Sequence, residues 1–236
     1  MTEPIHLHPT APLAERVLLP GDPGRALRLA QALLEKPAMF NHNRGLWGYT
    51  GAAVDGLPLT IQSTGMGGPS AAIVVAELVD LGARRLLRVG TCGGLDPGLA
   101  LGDLLVATEA IPEDGTSHAL GGDAPLAPDP GLMAALLAAA GDGVRAGPVV
   151  STDLFYDGRE NAELEWLAQG ALAVEMETAT LFALARRRKL QAAALLLVSD
   201  LLLPARTRIS ADALLAGEGR LGALAARALA ESAISE

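Results

Sequence analysis

Short aliphatic runs bounded by Gly, Pro and Asp recur along the chain, and segments with helical spacing of apolar residues lie between them. Continuous apolar runs of this length suit strands buried on both faces. The alternation therefore predicts an α/β fold, a largely parallel sheet with helices packed against it. The runs place strands at 17–19, 48–54, 57–63, 86–89, 104–110, 144–150, 171–174 and 193–198, and Asp55-Gly56 between the second and third is a hairpin turn signal. The helical spacing predicts helices over 24–34, 69–81, 129–140, 161–168, 177–187 and 211–232, the first just past a proline and the second opening on Pro69-Ser70. The Gly/Pro/Asp-rich stretch 113–130 reads as a long surface loop. Neither an internal repeat nor a linker interrupts the pattern, so residues 1–236 are read as one domain.

Six of the strands run directly into polar or Gly-rich segments. These are Gly21-Asp22-Pro23-Gly24-Arg25, Thr64-Gly65-Met66-Gly67-Gly68, Gly90-Thr91-Cys92-Gly93-Gly94, Thr152-Asp153-Leu154-Phe155-Tyr156, Glu175-Met176-Glu177 and Ser199-Asp200. In open α/β sheets ligands bind at the carboxyl ends of strands, so six such ends predict one shared pocket and an enzyme.

Composition narrows the class. Half of the 236 residues are hydrophobic and 19% are charged, which excludes disorder for most of the chain. The formal net charge is −9, only 3% of residues are aromatic, and the longest basic run is Arg186-Arg187-Arg188-Lys189, a balance that argues against a nucleic-acid partner. The single cysteine, Cys92, cannot form an internal disulfide. No basic start followed by an apolar stretch opens the chain, and no uninterrupted apolar run approaches the ~18 residues of a membrane span, so the expected location is the cytoplasm without membrane attachment.

The chemistry of the strand ends points to an anion. Glycine clusters free backbone N–H groups to face a ligand, and a following helix adds the positive end of its dipole. Arg25, Arg88 and Arg44 lie in or beside such segments, and guanidinium forks bind phosphate oxygens in pairs. Any one of these loops taken alone is better read as a tight turn with a surface arginine, whereas the three together favour a phosphate site. Gly65-x-Gly67 does not extend to a dinucleotide fingerprint, since Ser70 stands where the third glycine belongs and the next strand ends at Val89-Gly90 with no acidic residue. HExxH, CxxC and GxSxG are absent, and His6, His8, His42 and His118 lack metal-ligand spacing within a helix, so no metal is expected. Glu175 and Glu177, at a strand-to-helix junction, either accept hydrogen bonds from sugar hydroxyls or stabilise a helix N-terminus. Asp200, ending an apolar run, is a candidate proton donor; the alternative is a cap on the following turn.

Leu19-Pro20-Gly21-Asp22-Pro23-x-Arg25, Arg44-Gly45, Ser63 through Ser70, Leu87 through Gly93, Asp153 through Tyr156, Val174 through Glu177 and Val198-Ser199-Asp200 occur in an order and spacing that resemble the bacterial nucleoside phosphorylases, the family of hexameric purine nucleoside phosphorylases and uridine phosphorylases. The likeness runs from about residue 5 to residue 200. It implies a three-layer α/β/α sandwich around a mixed, largely parallel sheet, and reversible phosphorolysis of a nucleoside to free base and ribose 1-phosphate. Inorganic phosphate is then the co-substrate, and no cofactor is implied. By resemblance, Gly21, Arg25, Arg88 and Thr91 hold phosphate, with Arg44 arriving from a neighbouring subunit. Glu175, Met176 and Glu177 face the ribose, Phe155 stacks on the base, and Ser199 and Asp200 sit at the purine, where Asp200 protonates N7. His6, with His8 as rival, reaches the neighbour's 5′-hydroxyl, and the assembly implied is a hexamer built of dimers.

Two departures shape the reading. The Gln-x-Arg pair that marks uridine enzymes is absent, the corresponding stretch being Gly158-Arg159-Glu160-Asn161. Three arginines, Arg206, Arg208 and Arg220, are candidates to assist Asp200. Arg25 and Arg88 separate a phosphorylase from the related water-using nucleosidases. A purine nucleoside phosphorylase is the leading reading; a uridine or broad-specificity phosphorylase, and a non-catalytic binder of nucleoside or phosphate, are the alternatives.

Overall fold

The computed structural model describes residues 4–231. Strands β1 (Arg16–Leu19), β2 (Leu34–Asn41), β3 (Gly48–Ala53), β4 (Pro58–Gln62), β5 (Arg85–Gly94), β6 (Leu104–Glu113), β7 (Arg145–Thr152), β8 (Ala173–Glu175), β9 (Gln191–Leu201) and β10 (Thr207–Arg208) form a single mixed sheet in the order β10-β9-β6-β7-β8-β5-β1-β4-β3-β2. β9 also pairs with β5, so β5, β9, β6, β7 and β8 close into a ring from which β1, β4, β3 and β2 extend. The pairings β1–β4, β1–β5, β5–β9, β6–β7 and β7–β8 are parallel.

Helices cover both faces. α2 (Gly68–Leu81), α3 (Gly115–Ala119) and α6 (Thr178–Arg188) lie on one, while α1 (Pro23–Leu33), α4 (Pro130–Ala140) and α7 (Ala211–Glu231) lie on the other; α5 (Ala162–Ala168) packs through Trp166 into a smaller cluster. β9 shows why its sequence is an unbroken apolar run: Ala192, Ala194, Leu196 and Val198 face the α2/α6 layer, and Ala193, Leu195 and Leu197 face the α1/α4/α7 layer. The helix starts follow from capping. Asp22 accepts from the N–H groups of Gly24 and Arg25 ahead of α1, and Asp129 accepts from Leu132 ahead of α4.

The predicted strands and helices are found with shifts of a few residues at their ends, and the β3–β4 hairpin turns at Asp55-Gly56 with Gly56 at φ +77°. Ser232, last in the expected C-terminal helix, lies outside the described residues. Two expectations need correction. β2 is absent from the predicted set because it is an exposed edge strand, broken by Lys36 at φ +46° and by Pro37, and so lacks the apolar run that marks the central strands. The stretch 113–130 is more than a surface loop: Asp114 is buried and accepts from Ser117 and Thr180, α3 follows it, and Leu126 pairs with Ala110 inside the core. Local turn chemistry hides this, because the burial comes from packing against α6.

Candidate active site

The six strand ends meet. Gly21, Asp22 and Arg25, then Gly65 and Met66, Arg88 and Gly90 to Gly93, Thr152 and Leu154 to Gly158, Val174 to Glu177, and Ser199 with Asp200 all line one cavity of about 850 Å³. Thus Gly21, Arg25, Arg88, Thr91, Phe155, Glu175, Met176, Glu177, Ser199 and Asp200 share a single pocket. His6 and Arg44 do not line it. Arg44 is exposed in the turn Asn43–Gly45, and His6 lies beside that turn, its carbonyl accepting from Asn43 Nδ2 at 2.9 Å and its ring bonded to Glu77 at 2.7 Å. His8 is next to both, Nε2 lying 3.5 Å from Asn43 Nδ2.

Arg88 sits where β5 alternation turns it toward the α2/α6 layer, and two carboxylates brace it there. Its Nε lies 2.8 Å from Glu175 Oε2 and its Nη2 2.5 Å from Glu177 Oε2. Burial works against its charge, but Glu177 and Glu175 outweigh burial and hold the guanidinium protonated more firmly than usual. Among the described residues Nη1 has no protein partner, which leaves a donor for a ligand. Glu175 is engaged on both oxygens: the Ser151 hydroxyl donates to Oε1, and the N–H groups of Glu177 and Thr178 donate at 3.0 Å. Glu177 accepts from the N–H of Gly67, at the start of α2. Of the two readings of this acidic pair, the helix N-terminus is the one these contacts realise, since Glu175 and Glu177 accept from N–H groups at the starts of α6 and α2, and both also anchor an arginine in the cavity wall. Burial pushes the Glu177 carboxyl above its ordinary range; Arg88 opposes this, Glu175 adds to it, and the Gly67 N–H opposes it again.

Arg25 is braced in the same way from the other face. Its Nε donates to Glu218 Oε1 at 2.8 Å and Nη1 to the Val89 carbonyl at 3.2 Å, and Nη2 has no protein partner among the described residues. Glu218, on α7, did not emerge from the sequence: a glutamate 193 residues away on a helix carries no local signal of its partner.

Asp200 is aimed by an irregularity in the sheet. β5 and β9 run in register as far as Cys92 opposite Val198, then Gly93 pairs with Asp200, so Ser199 is the extra residue. The Ser199 hydroxyl lies 2.8 Å from Asp200 Oδ2. Of the three arginine candidates, Arg208 Nε lies 3.1 Å and Arg206 Nε 3.6 Å from Asp200 Oδ1, whereas Arg220 donates to the Gly102 carbonyl. Arg206 also stacks on Phe155, its Cζ 4.7 Å from the ring centroid, and Phe155 is half-exposed at the cavity wall. Trp166, Glu163 and Leu202 complete the wall near this end, and nothing in their sequence spacing marked them. Burial pushes the Cys92 thiol far above its ordinary range, which makes it inert as a nucleophile. Among the described residues no group of three or more His, Cys, Asp or Glu is placed to hold a metal ion, and no helix is long and apolar enough to cross a membrane.

Comparison with known proteins adds the lineage. A family model described as the phosphorylase superfamily matches residues 15–234. A guanosine phosphorylase of Halorubrum lacusprofundi is 43% identical over 185 residues, covering 77% of this chain and 76% of that protein. A DeoD-type purine nucleoside phosphorylase of Jannaschia sp. is 42% identical over 81% of this chain and 84% of its own, and one of Clostridium perfringens is 38% identical over 85% and 87%. The crystal structure of a uridine phosphorylase from Vibrio fischeri superposes with a TM-score of 0.84 at 29% identity, over 93% of this chain and 92% of the other. Its fold and its sequence together place the chain in the phosphorylase superfamily.

Proposed function

We propose that the protein catalyses the reversible phosphorolysis of purine ribo- and deoxyribonucleosides, releasing the free base and (deoxy)ribose 1-phosphate. The observation that carries this is the presence in one cavity of two carboxylate-braced arginines, Arg25 and Arg88, together with Asp200 and Phe155. Relatives named purine nucleoside or guanosine phosphorylase, at 38–43% identity over most of the chain, support it.

In this reading phosphate is bound by Arg25, Arg88, Thr91 and the amide at Gly21, and needs no cofactor beside it. A phosphate oxygen forms a bond to C1′ as the C1′–N9 bond breaks, and the electron pair of that bond passes into the purine. Asp200 delivers a proton to N7 of the departing base, and the carboxylate charge left behind meets Arg208 and Arg206. Met176 and Glu177 hold the ribose, and Phe155 stacks on the base. Glu175 supports this arrangement chiefly by fixing Arg88.

The same reading assigns His6 and Arg44 to a neighbour's site in a homo-oligomer built of dimers, a hexamer in all. Its support is that both lie on one surface outside their own cavity, beside the exposed apolar side chains Ile5 and Trp47, with Ile73 one turn before Glu77. A cytoplasmic location belongs to the same proposal.

The test is a panel of inosine, guanosine, adenosine and uridine with and without phosphate. Phosphate-dependent cleavage of the purine nucleosides is expected. Comparable turnover without phosphate would overturn the assignment in favour of a hydrolase, and binding without turnover in favour of a non-catalytic binder. Likeness to a uridine phosphorylase keeps a uridine or broad-specificity enzyme as the second reading. Against it, Arg159 turns to Asp157 and lies over Trp166, and no Gln-x-Arg pair is present.

A further inference from the structure

Glycine weakens a helix interior, yet α7 carries Gly217, Gly219 and Gly222 in its middle. Packing accounts for two of them. A Cβ at Gly217 would stand 2.8 Å from Leu197 Cδ1, and one at Gly222 only 2.3 Å from Leu29 Cδ2, so glycine there lets α7 press against β9 and α1. Glu218, between them, is delivered into the interior at 3% exposure. A buried carboxylate is unfavourable unless paired, and Glu218 is paired twice. Oε1 accepts from Arg25 Nε at 2.8 Å, while Oε2 accepts from Arg28 Nε at 2.9 Å and Nη2 at 2.6 Å. Arg28, also 3.2 Å from Asp22, thus takes one oxygen, so Arg25 is held by the other and is not enclosed by the carboxylate.

We infer that Glu218 is a positioning residue for phosphate binding, one that fixes Arg25, a residue of the cavity wall, along its Nε edge and leaves Nη2, without a protein partner among the described residues, to an anion. The inference rests on the phosphorolysis reading for its place in the reaction, but its geometry requires only that an anion bind at Arg25. Glu218 holds Arg25 from the C-terminal helix as Glu175, at the end of β8, and Glu177, at the start of α6, hold Arg88, and in this role it touches neither substrate. A guanidinium held on one edge loses little freedom when its other donors meet an anion, and that preorganisation is what Glu218 supplies.

The experiment is calorimetric titration of the full chain with inorganic phosphate, nucleoside absent, beside steady-state kinetics. Glu218→Gln preserves shape and removes the charge; its phosphate Kd should rise about tenfold or more, and its phosphate KM likewise, with the nucleoside KM little changed. In an Arg25→Lys background, where no fork remains to be aligned, the same substitution should add nothing. Should Glu218→Gln fail to fold, Glu218→Asp, which keeps the charge but falls short of Arg25, should weaken phosphate in a folded protein. A phosphate Kd that is unchanged or tighter without Glu218, or effects of Arg25→Lys and Glu218→Gln that simply add, overturns the inference. If phosphate binding depends on Glu218 while no nucleoside is cleaved, the phosphorolysis reading fails and the positioning role stands. If phosphate-dependent turnover persists in Glu218→Gln with phosphate Kd and KM unchanged, the reverse holds.

Discussion

Replacing Arg88 with Met removes a buried cation while keeping most of its volume, and so isolates what the charge does. Glu175 and Glu177 would then face each other with only the Ser151 hydroxyl and the N–H groups of Gly67, Glu177 and Thr178 to hold them. Removing one partner of a buried ion pair costs about 3–5 kcal/mol, and each kcal/mol moves Tm by about 2–4 °C in a chain of this size, so Tm should fall by about 6–20 °C at pH 7. The loss should depend on pH, with a definite sign. Burial already holds the Glu177 carboxyl above its ordinary range against the pull of Arg88, and without Arg88 it rises further. A carboxyl whose folded pKa exceeds its unfolded value binds protons better when folded. Its contribution to stability is present below the unfolded pKa and is lost as pH rises through the folded one. The gap in Tm between Arg88→Met and the wild type should therefore narrow as pH falls from 7 toward 5. In kinetics, losing a charge-assisted bond worth about 1.5–3 kcal/mol should raise the phosphate KM by about 10- to 150-fold, well beyond any rise in the nucleoside KM. Thermal unfolding across pH 5–8 and initial rates with each substrate varied read both effects. A pH-independent loss of Tm, or equal rises in the two KM values, would refute the placement of Arg88 between two carboxylates and a phosphate.

Asp200→Asn should lower kcat by about 10²–10⁴ with the nucleoside KM near its original value; initial rates that stay within tenfold would remove Asp200 as the acid. Gly222→Val drives a side chain into Leu29, and overpacking of about 1–3 kcal/mol should appear as a lower urea midpoint; an unchanged midpoint would mean that α7 does not lie tightly on α1. The Arg16 guanidinium, bonded to Asp55 through both terminal nitrogens at 2.6 Å, holds that carboxyl below its usual range, against a smaller push from burial. The stability it contributes is present above the unfolded pKa and lost as pH falls through the folded one, so Asp55→Asn should be less stable than the wild type near pH 7 and converge with it in acid. A difference that persists unchanged in acid unfolding curves would count against the pair.

What the sequence discloses about this protein divides by the range of the interaction. β9 is legible because burial on both faces leaves seven apolar residues in succession, Ala192 to Val198, a pattern that no exposed segment needs. β2 is not, because an edge strand takes its place from pairing with β3 and not from burial, and Lys36 and Pro37 read as a break. The cavity-lining residues divide in the same way. Arg25, Arg88 and Asp200 announce themselves because each sits where an apolar run gives way to polar or glycine-rich chain. Their partners do not: Glu218 pairs with Arg25 across 193 positions, Ser151 reads as an ordinary strand end, and Arg208 reaches Asp200 through the β10–β9 pairing while Arg220 turns to the Gly102 carbonyl.

Those unseen partners also change the meaning of the acidic balance. A net charge of −9 predicts weak attraction for anions from afar, and that supports the exclusion of nucleic acid. It does not bear on the cavity, because a guanidinium cannot be buried in an aliphatic core without carboxylates to compensate it. Glu175, Glu177 and Glu218 are part of the acidic excess and are also the groups that pair with Arg88 and Arg25 and fix their orientation. Each arginine retains one terminal nitrogen without a protein partner among the described residues, a donor that the proposed phosphate would take. On the phosphorolysis reading, these acidic residues are the means by which a negatively charged protein would build a phosphate site.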